Sequence, residues 1–318
     1  MPPMGDLPKM LTEPATAPVS WLLGPRGQTG HMASILTTAE ELHDALATGR
    51  YDDGGPVRLL DVRWRLDRPD GRPDYRSGHI PGAQYVALDH DLADHDAPVT
   101  EGRHPLPSID DLQATARRWG IDAGDTVIVY DDAKNMASAR AWWLLRSAGF
   151  ADVRLLDGAL RAWIDAGYET EEGDAATPAP GSVELSYGAL PSLALDDVAG
   201  FAEHGLLLDA RAGERYRGET EPIDPRAGHV PGAVSAPTTE NTSEDGRFRS
   251  PEDLRSRFRM LGAEDGMSVG VYCGSGVTAA HQAVALSLAG FEPRLFPGSW
   301  SQWSNHPELP VATGPEPR

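Results

Sequence analysis

An α/β fold with two parallel sheets is what this sequence predicts, and three observations carry the prediction. Short β-rich runs alternate with helical segments, the order that yields parallel strands joined by crossover helices. The second half of the chain repeats the first. At 318 residues the chain also exceeds the ~100–200 residues of a usual single domain. Each copy is therefore expected to be a doubly wound parallel sheet flanked by helices, the two copies standing in tandem.

Taken in order, residues 1–32 are rich in Pro and Gly and end in Gly30-His31-Met32, so they are expected to be a flexible extension without readable function. The first copy is expected over 33–168. It holds strand-like runs at Val57 to Leu60 and at Val127 to Tyr130, and between them a helix from Ser108. In that helix Ile109, Leu112, Ala116 and Trp119 recur at spacings of three and four, with Ser108 placed to cap and Asp111 three residues on. Residues 169–189 form the linker, acidic and rich in Ala, Pro and Gly from Glu169 to Pro180. The second copy is expected over 190–314, with strands at Leu206 to Leu208 and Val269 to Tyr272 and a helix capped by Ser250, and 315–318 is a tail.

The repeat is measurable. Ser108 to Asp131 lines up without gaps on Ser250 to Cys273, an offset of 142. Upstream, Gly78-His-Ile-Pro-Gly-Ala83 matches Gly228-His-Val-Pro-Gly-Ala233, and Asp61-Val-Arg63 matches Asp209-Ala-Arg211, with offsets of 150 and 148. Because His79 and His229 occur in both copies, they read as architecture: turns leading into strands, with satisfied side chains. The Asp–Arg pairs read as loop-orienting pairs within each domain. Trp64, at the end of a first-copy strand, fits either the core or the cleft.

Composition excludes several classes. With 28 Lys+Arg against 48 Asp+Glu the formal charge is −20, which repels phosphate backbones and anionic lipid headgroups, so neither nucleic acid nor membrane is expected as a partner. No stretch of eighteen apolar residues occurs. One cysteine, Cys273, leaves no intrachain disulfide and no multi-cysteine metal site, and with no export signal the expected location is cytoplasmic.

That cysteine lies at a strand-to-helix elbow. Val269 to Tyr272 reads as a buried strand and Thr278 to Leu288 as a helix, with Cys273-Gly-Ser-Gly-Val-Thr278 turning between them. Open parallel sheets bind ligands beyond the carboxyl ends of their strands, where a helix N-terminus offers unpaired amides. Gly274 and Gly276 let the backbone curl so that amides converge on one atom, the requirement for an activated sulfur nucleophile. The alternative is a small buried hydrophobe beside a tight turn. The first copy has Asp131 at this elbow and lacks both glycines, so only the second loop is expected to cradle an anion, giving one working site per chain.

These features together resemble the tandem-domain rhodanese family of sulfurtransferases over residues 33–314. The resemblance rests on the paired Gly-His-Ile/Val-Pro-Gly-Ala motifs, Asp209-Ala-Arg, Arg215-Tyr-Arg-Gly, the loop Cys273-Gly-Ser-Gly-Val-Thr-Ala279, and Gly298-Ser-Trp-Ser-Gln-Trp303. It implies that Cys273 accepts a sulfur atom as a persulfide, held by amides of the loop at Gly274, Gly276, Val277 and Thr278, and passes it on. The loop is similar to that of the 3-mercaptopyruvate enzymes, since thiosulfate enzymes typically carry basic residues after the cysteine. The same resemblance implies that Arg215 and Arg226 hold the donor carboxylate and that Ser275, His104 and Asp89 form a relay across the cleft. It implies a small-molecule sulfur donor, an acceptor such as thioredoxin, another thiol or cyanide, and no metal or organic cofactor.

Three rival readings are weaker. A cysteine phosphatase of this fold needs Arg as the sixth residue after Cys, where this chain has Ala279. A noncatalytic interaction module would normally have lost its cysteine. A cysteine hydrolase pairs its thiol directly with histidine, whereas the resemblance places serine between them. Thiosulfate remains the alternative donor.

Overall fold

The computed structural model describes residues 34–51 and 54–317. The extension over 1–32 lies outside the described residues. The first sheet contains β1 (Leu36–Thr37), β2 (Val57–Asp61), β3 (Gln84–Tyr85), β4 (Thr126–Tyr130) and β5 (Val153–Leu156), all parallel in the order β1-β5-β4-β2-β3. Around it lie α1 (Ala39–Thr48), α2 (Arg72–Ser77), α3 (Leu88–Asp91), α4 (Ile109–Arg118), α5 (Ser138–Ser147) and α6 (Ala159–Asp165). The second sheet contains β6 (Leu206–Asp209), β7 (Val234–Ser235), β8 (Val269–Tyr272) and β9 (Pro293–Leu295), parallel in the order β7-β6-β8-β9. Its helices are α7 (Leu195–Phe201), α8 (Gly213–Tyr216), α9 (Pro251–Met260), α10 (Thr278–Leu288) and α11 (Ser299–Ser304). A single parallel bridge from Ser192 to Leu295 stands where β1 pairs with β5 in the first copy.

Local chemistry repeats as the sequence does. Ser108 and Ser250 each accept the amide three residues on, at 3.1 Å, starting α4 and α9. His79 and His229 are fully buried, stack on Tyr75 and Tyr216, and bond through Nδ1 to those residues' carbonyls at 3.1 and 2.8 Å. Arg63 pairs with Asp61 and donates to the Gly78 carbonyl, while Arg211 pairs with Asp209 and donates to that of Gly228. Both motifs therefore tie the loop after the first central strand to the turn before the edge strand. The linker also has its counterpart: Glu171 pairs antiparallel with His79, as Ala312 does with His229.

The two sheets are not independent bodies. Helix α5 packs against α10, and one apolar cluster runs from Leu60, Val129 and Trp143 in the first copy to Val271, Cys273 and Val284 in the second. That seam brings loops of the first domain over the carboxyl end of β8.

Candidate active site

Strand β8 is buried along its length and delivers Cys273 to the elbow, where only 1% of the residue is exposed. Several bonds hold the loop. Cys273 N–H donates to Ser299 Oγ (3.1 Å), and the carbonyls of Cys273 and Gly274 accept from Trp300 and Ser301 N–H (3.0 and 2.8 Å) at the start of α11. The Gly276 amide donates to Cys273 Sγ at 3.2 Å. Gly276 has φ +79°, and a Cβ there would stand 2.2 Å from the Pro297 carbonyl oxygen, so a side chain is excluded by both conformation and space. Val277 precedes α10 and Thr278 opens it, with no side chain capping the first-turn amides.

Across the seam, the first domain brings His104 and Asp89 into one hydrogen-bonded run with Ser275. His104 Nδ1 lies 2.8 Å from Ser275 Oγ, and its Nε2 lies 2.9 Å from Asp89 Oδ1. A carboxylate only accepts, so the network places the proton on Nε2 and leaves Nδ1 to accept from the serine hydroxyl. Burial pushes the His104 pKa below the usual 6.5; the bond to Asp89 opposes this, while Arg140 and Arg103 add to it. The imidazole is thus neutral near pH 7. Trp64 sets its ring edge-on to His104 at 5.3 Å, facing the relay as well as the core.

Of the two expected arginines the structure brings one to the loop. Arg215 stands 3.4 Å from the position of a Gly274 Cβ. Arg226 is committed elsewhere, and its expected role is corrected. Its guanidinium donates to the carbonyls of Trp303, Ser304, His306 and Leu309 at 2.7–2.9 Å, closing the end of α11 and leaving no free fork for a carboxylate. The second cation at the loop is Arg103, 3.1 Å from that Gly274 position, which sequence reasoning missed although it adjoins His104. Arg103 pairs with Asp224, and Arg215 pairs with Glu221 (2.6 Å) and Asp224 (3.3 Å). Also missed was Arg140 of α5, fully buried, which donates to the carbonyls of Leu92, His104 and Pro105 and, at 3.3 Å, of Gly276. Burial pushes its pKa down to about 10, so it remains a cation against the cysteine loop.

Comparison with known proteins identifies the family. A model of the rhodanese-like domain matches residues 38–166 and again 194–306. The chain belongs to the rhodanese family. Among relatives of this rhodanese, a Mycobacterium tuberculosis protein with the provisional name thiosulfate sulfurtransferase SseB is 47% identical over 283 residues, covering 88% of this chain and 97% of the relative. A Pseudomonas aeruginosa protein provisionally named 3-mercaptopyruvate sulfurtransferase is 46% identical, with 80% and 92% covered. The human 3-mercaptopyruvate sulfurtransferase is 33% identical, with 86% and 92% covered. Among solved structures, the Escherichia coli 3-mercaptopyruvate enzyme SseA superposes with a TM-score of 0.72 at 29% identity, covering 84% of this chain and 99% of its own. The protein is a sulfurtransferase, and its relatives divide over the donor.

The first rhodanese domain corrects one expectation. Its elbow also cradles an anion, although it lacks the glycines. The Asp131 carboxylate accepts from the amides of Ala133, Asn135 and Ala137 at 2.8 Å and of Ser138 at 3.0 Å, with Lys134 and Asn135 held at φ near +60°. The loop curls around a built-in negative charge, and the cost of left-handed non-glycine residues is offset by four amide bonds. One thiol site per chain still follows, because this copy has no nucleophile at the elbow.

Proposed function

We propose that this sulfurtransferase takes its sulfur from 3-mercaptopyruvate through a Cys273 persulfide. The observation that carries the reading is the hydrogen-bonded run Asp89–His104–Ser275 beside the cysteine. Donor chemistry decides its use. Transfer from thiosulfate expels sulfite, and no proton need move. Transfer from a mercapto keto acid forms an S–S bond while its C–S bond breaks, the electron pair leaving on carbon as the pyruvate enolate. A proton must then pass from the donor thiol to that carbon. A neutral His104 receives it through Ser275 and returns it by the same route, while Asp89 steadies the imidazolium. Arg215 holds the donor carboxylate, and Gly276, with the amides of Val277 and Thr278, holds the persulfide.

The outer sulfur then leaves to a second nucleophile. A thiol such as thioredoxin, or cyanide, fits that role chemically, and the lone cysteine fits a reducing cytoplasmic setting. No helix among the described residues is long and apolar enough to cross a membrane.

Two measurements test the reading. Donor treatment should add the mass of one sulfur atom to wild type and none to Cys273→Ser. Ser275→Ala should lower kcat/KM for 3-mercaptopyruvate by about a hundredfold, the usual worth of proton transfer, and change thiosulfate turnover far less. Equal losses with both donors, or wild-type preference for thiosulfate, would overturn the donor assignment.

A further inference from the structure

The two guanidiniums beside Gly274 do not face the donor as a simple pair of positive charges. Arg103 comes from the first domain and Arg215 from the second, and Asp224 bridges them, bonded to Arg103 through Oδ1 and to Arg215 through Oδ2. Glu221 accepts from the same Arg215 Nη2 at 2.6 Å and also pairs with Arg211 at 3.4 Å. Both carboxylate side chains are 3% exposed, whereas Arg103 and Arg215 are 26% and 16% exposed. Two buried negative charges thus stand directly behind the two cations that line the solvent side of the loop. An arginine pair alone would attract a dianion more than a monoanion. With the carboxylates in place the four charges cancel formally, and the arginines keep their hydrogen-bonding edges without a net positive field.

We propose that Asp224, supported by Glu221, determines donor selectivity by setting the net charge at the mouth of the cysteine loop, favouring a monoanionic keto acid over dianionic thiosulfate. Arg103, reaching over from the first domain, is the second donor-facing cation in this arrangement, in the place expected for Arg226. The proposal rests on the reading of 3-mercaptopyruvate as the donor and deepens it. The carboxylates act through the arginines and are positioning residues. Their effect is electrostatic: a unit charge a few ångströms from the donor, in a partly buried site, discriminates between single and double negative charge by about tenfold.

A charge ladder tests it. Asp224→Asn keeps shape and one acceptor while raising the site by one charge, and Arg103→Gln lowers it by one. The ratio of kcat/KM for thiosulfate to that for 3-mercaptopyruvate should rise about tenfold in Asp224→Asn and fall about tenfold in Arg103→Gln. Raising ionic strength should compress both shifts. Glu221→Gln supplies a second positive step if Asp224→Asn folds poorly, as judged by its melting curve. A ratio that stays flat across folded members of the ladder, or moves against the charge, overturns the proposal. The donor reading is tested separately on wild type: a preference for thiosulfate there sinks that reading, whereas a flat ladder in an enzyme that prefers 3-mercaptopyruvate sinks only the charge rule.

Discussion

His104 concentrates the chemistry of the site in a single side chain. It is buried, neutral near pH 7 and bonded at both nitrogens, so its protonation state controls whether Ser275 can accept a proton. Its depressed pKa sets the sign of a pH effect. The base is lost only when pH falls below the ordinary histidine value of ~6.5, so the acid limb of kcat/KM for 3-mercaptopyruvate should lie below that value. Asp89 favours the charged ring, and Asp89→Asn should therefore move the limb further down while lowering kcat by ~10-fold or more. Steady-state profiles from pH 4 to 9 check both; a limb above 7 would contradict the neutral relay. Residue type and position made Cys273 legible at its elbow, whereas Ser275, His104 and Asp89 were reached only through the family resemblance, counted from nearby motifs. Arg226 was misread for a physical reason: a sequence shows that an arginine is nearby but not whether its donors are already taken by carbonyls. Arg140 was invisible for a related reason, since an arginine in a largely apolar helix looks like a solvated edge until the packing of α5 on α10 is known.

At the scale of elements, the site is an elbow between β8 and α10 held from outside by α11. Gly276 is its critical joint. Gly276→Ala would force a Cβ against the Pro297 carbonyl at a left-handed φ, which should cost roughly 1–3 kcal/mol of stability and displace the amide that meets Sγ. A lowered melting temperature with slowed sulfur loading is the expected outcome, and loading at the wild-type rate would show that the joint is not needed. The central elements of each copy were readable beforehand. The strand Val269–Tyr272 and helix Thr278–Leu288 fall on the expected residues, and both serine caps form. What escaped included the two-residue strands β1, β3 and β7, too short to show any alternation, the strands β5 and β9, and the ability of the first elbow to curl without glycine. There the Asp131 carboxylate, a tertiary partner within the loop, overrides local propensity.

Across the whole molecule, the continuous core makes the seam between domains part of the fold, and a fully buried histidine marks it. His281 of α10 bonds to Thr238 and stacks on Phe248, and burial pushes its pKa down from 6.5 to about 3. Between those values the unfolded chain holds a proton that the folded chain does not, so stability falls as pH drops through this window, by up to ~1.4 kcal/mol per pH unit. Asp61, pushed up by burial to about 7, contributes the opposite slope between 3.8 and 7. The test is therefore a difference: urea unfolding of wild type and His281→Gln from pH 4 to 7, with the variant losing less stability on acidification. Parallel curves would remove His281 from the account. The tandem arrangement was legible from the repeat, but the shared core was not, since apolar helix faces look alike whether they meet their own sheet or a neighbour.

The occupied elbow around Asp131 also gives the molecule an internal calibrant. One loop carries its acceptor in its own sequence, so the amide resonances of Ala133, Asn135, Ala137 and Ser138 should stay fixed when donor is added. Their counterparts after Cys273 can be followed beside them during a titration with donor, the first loop serving as the unmoving internal reference.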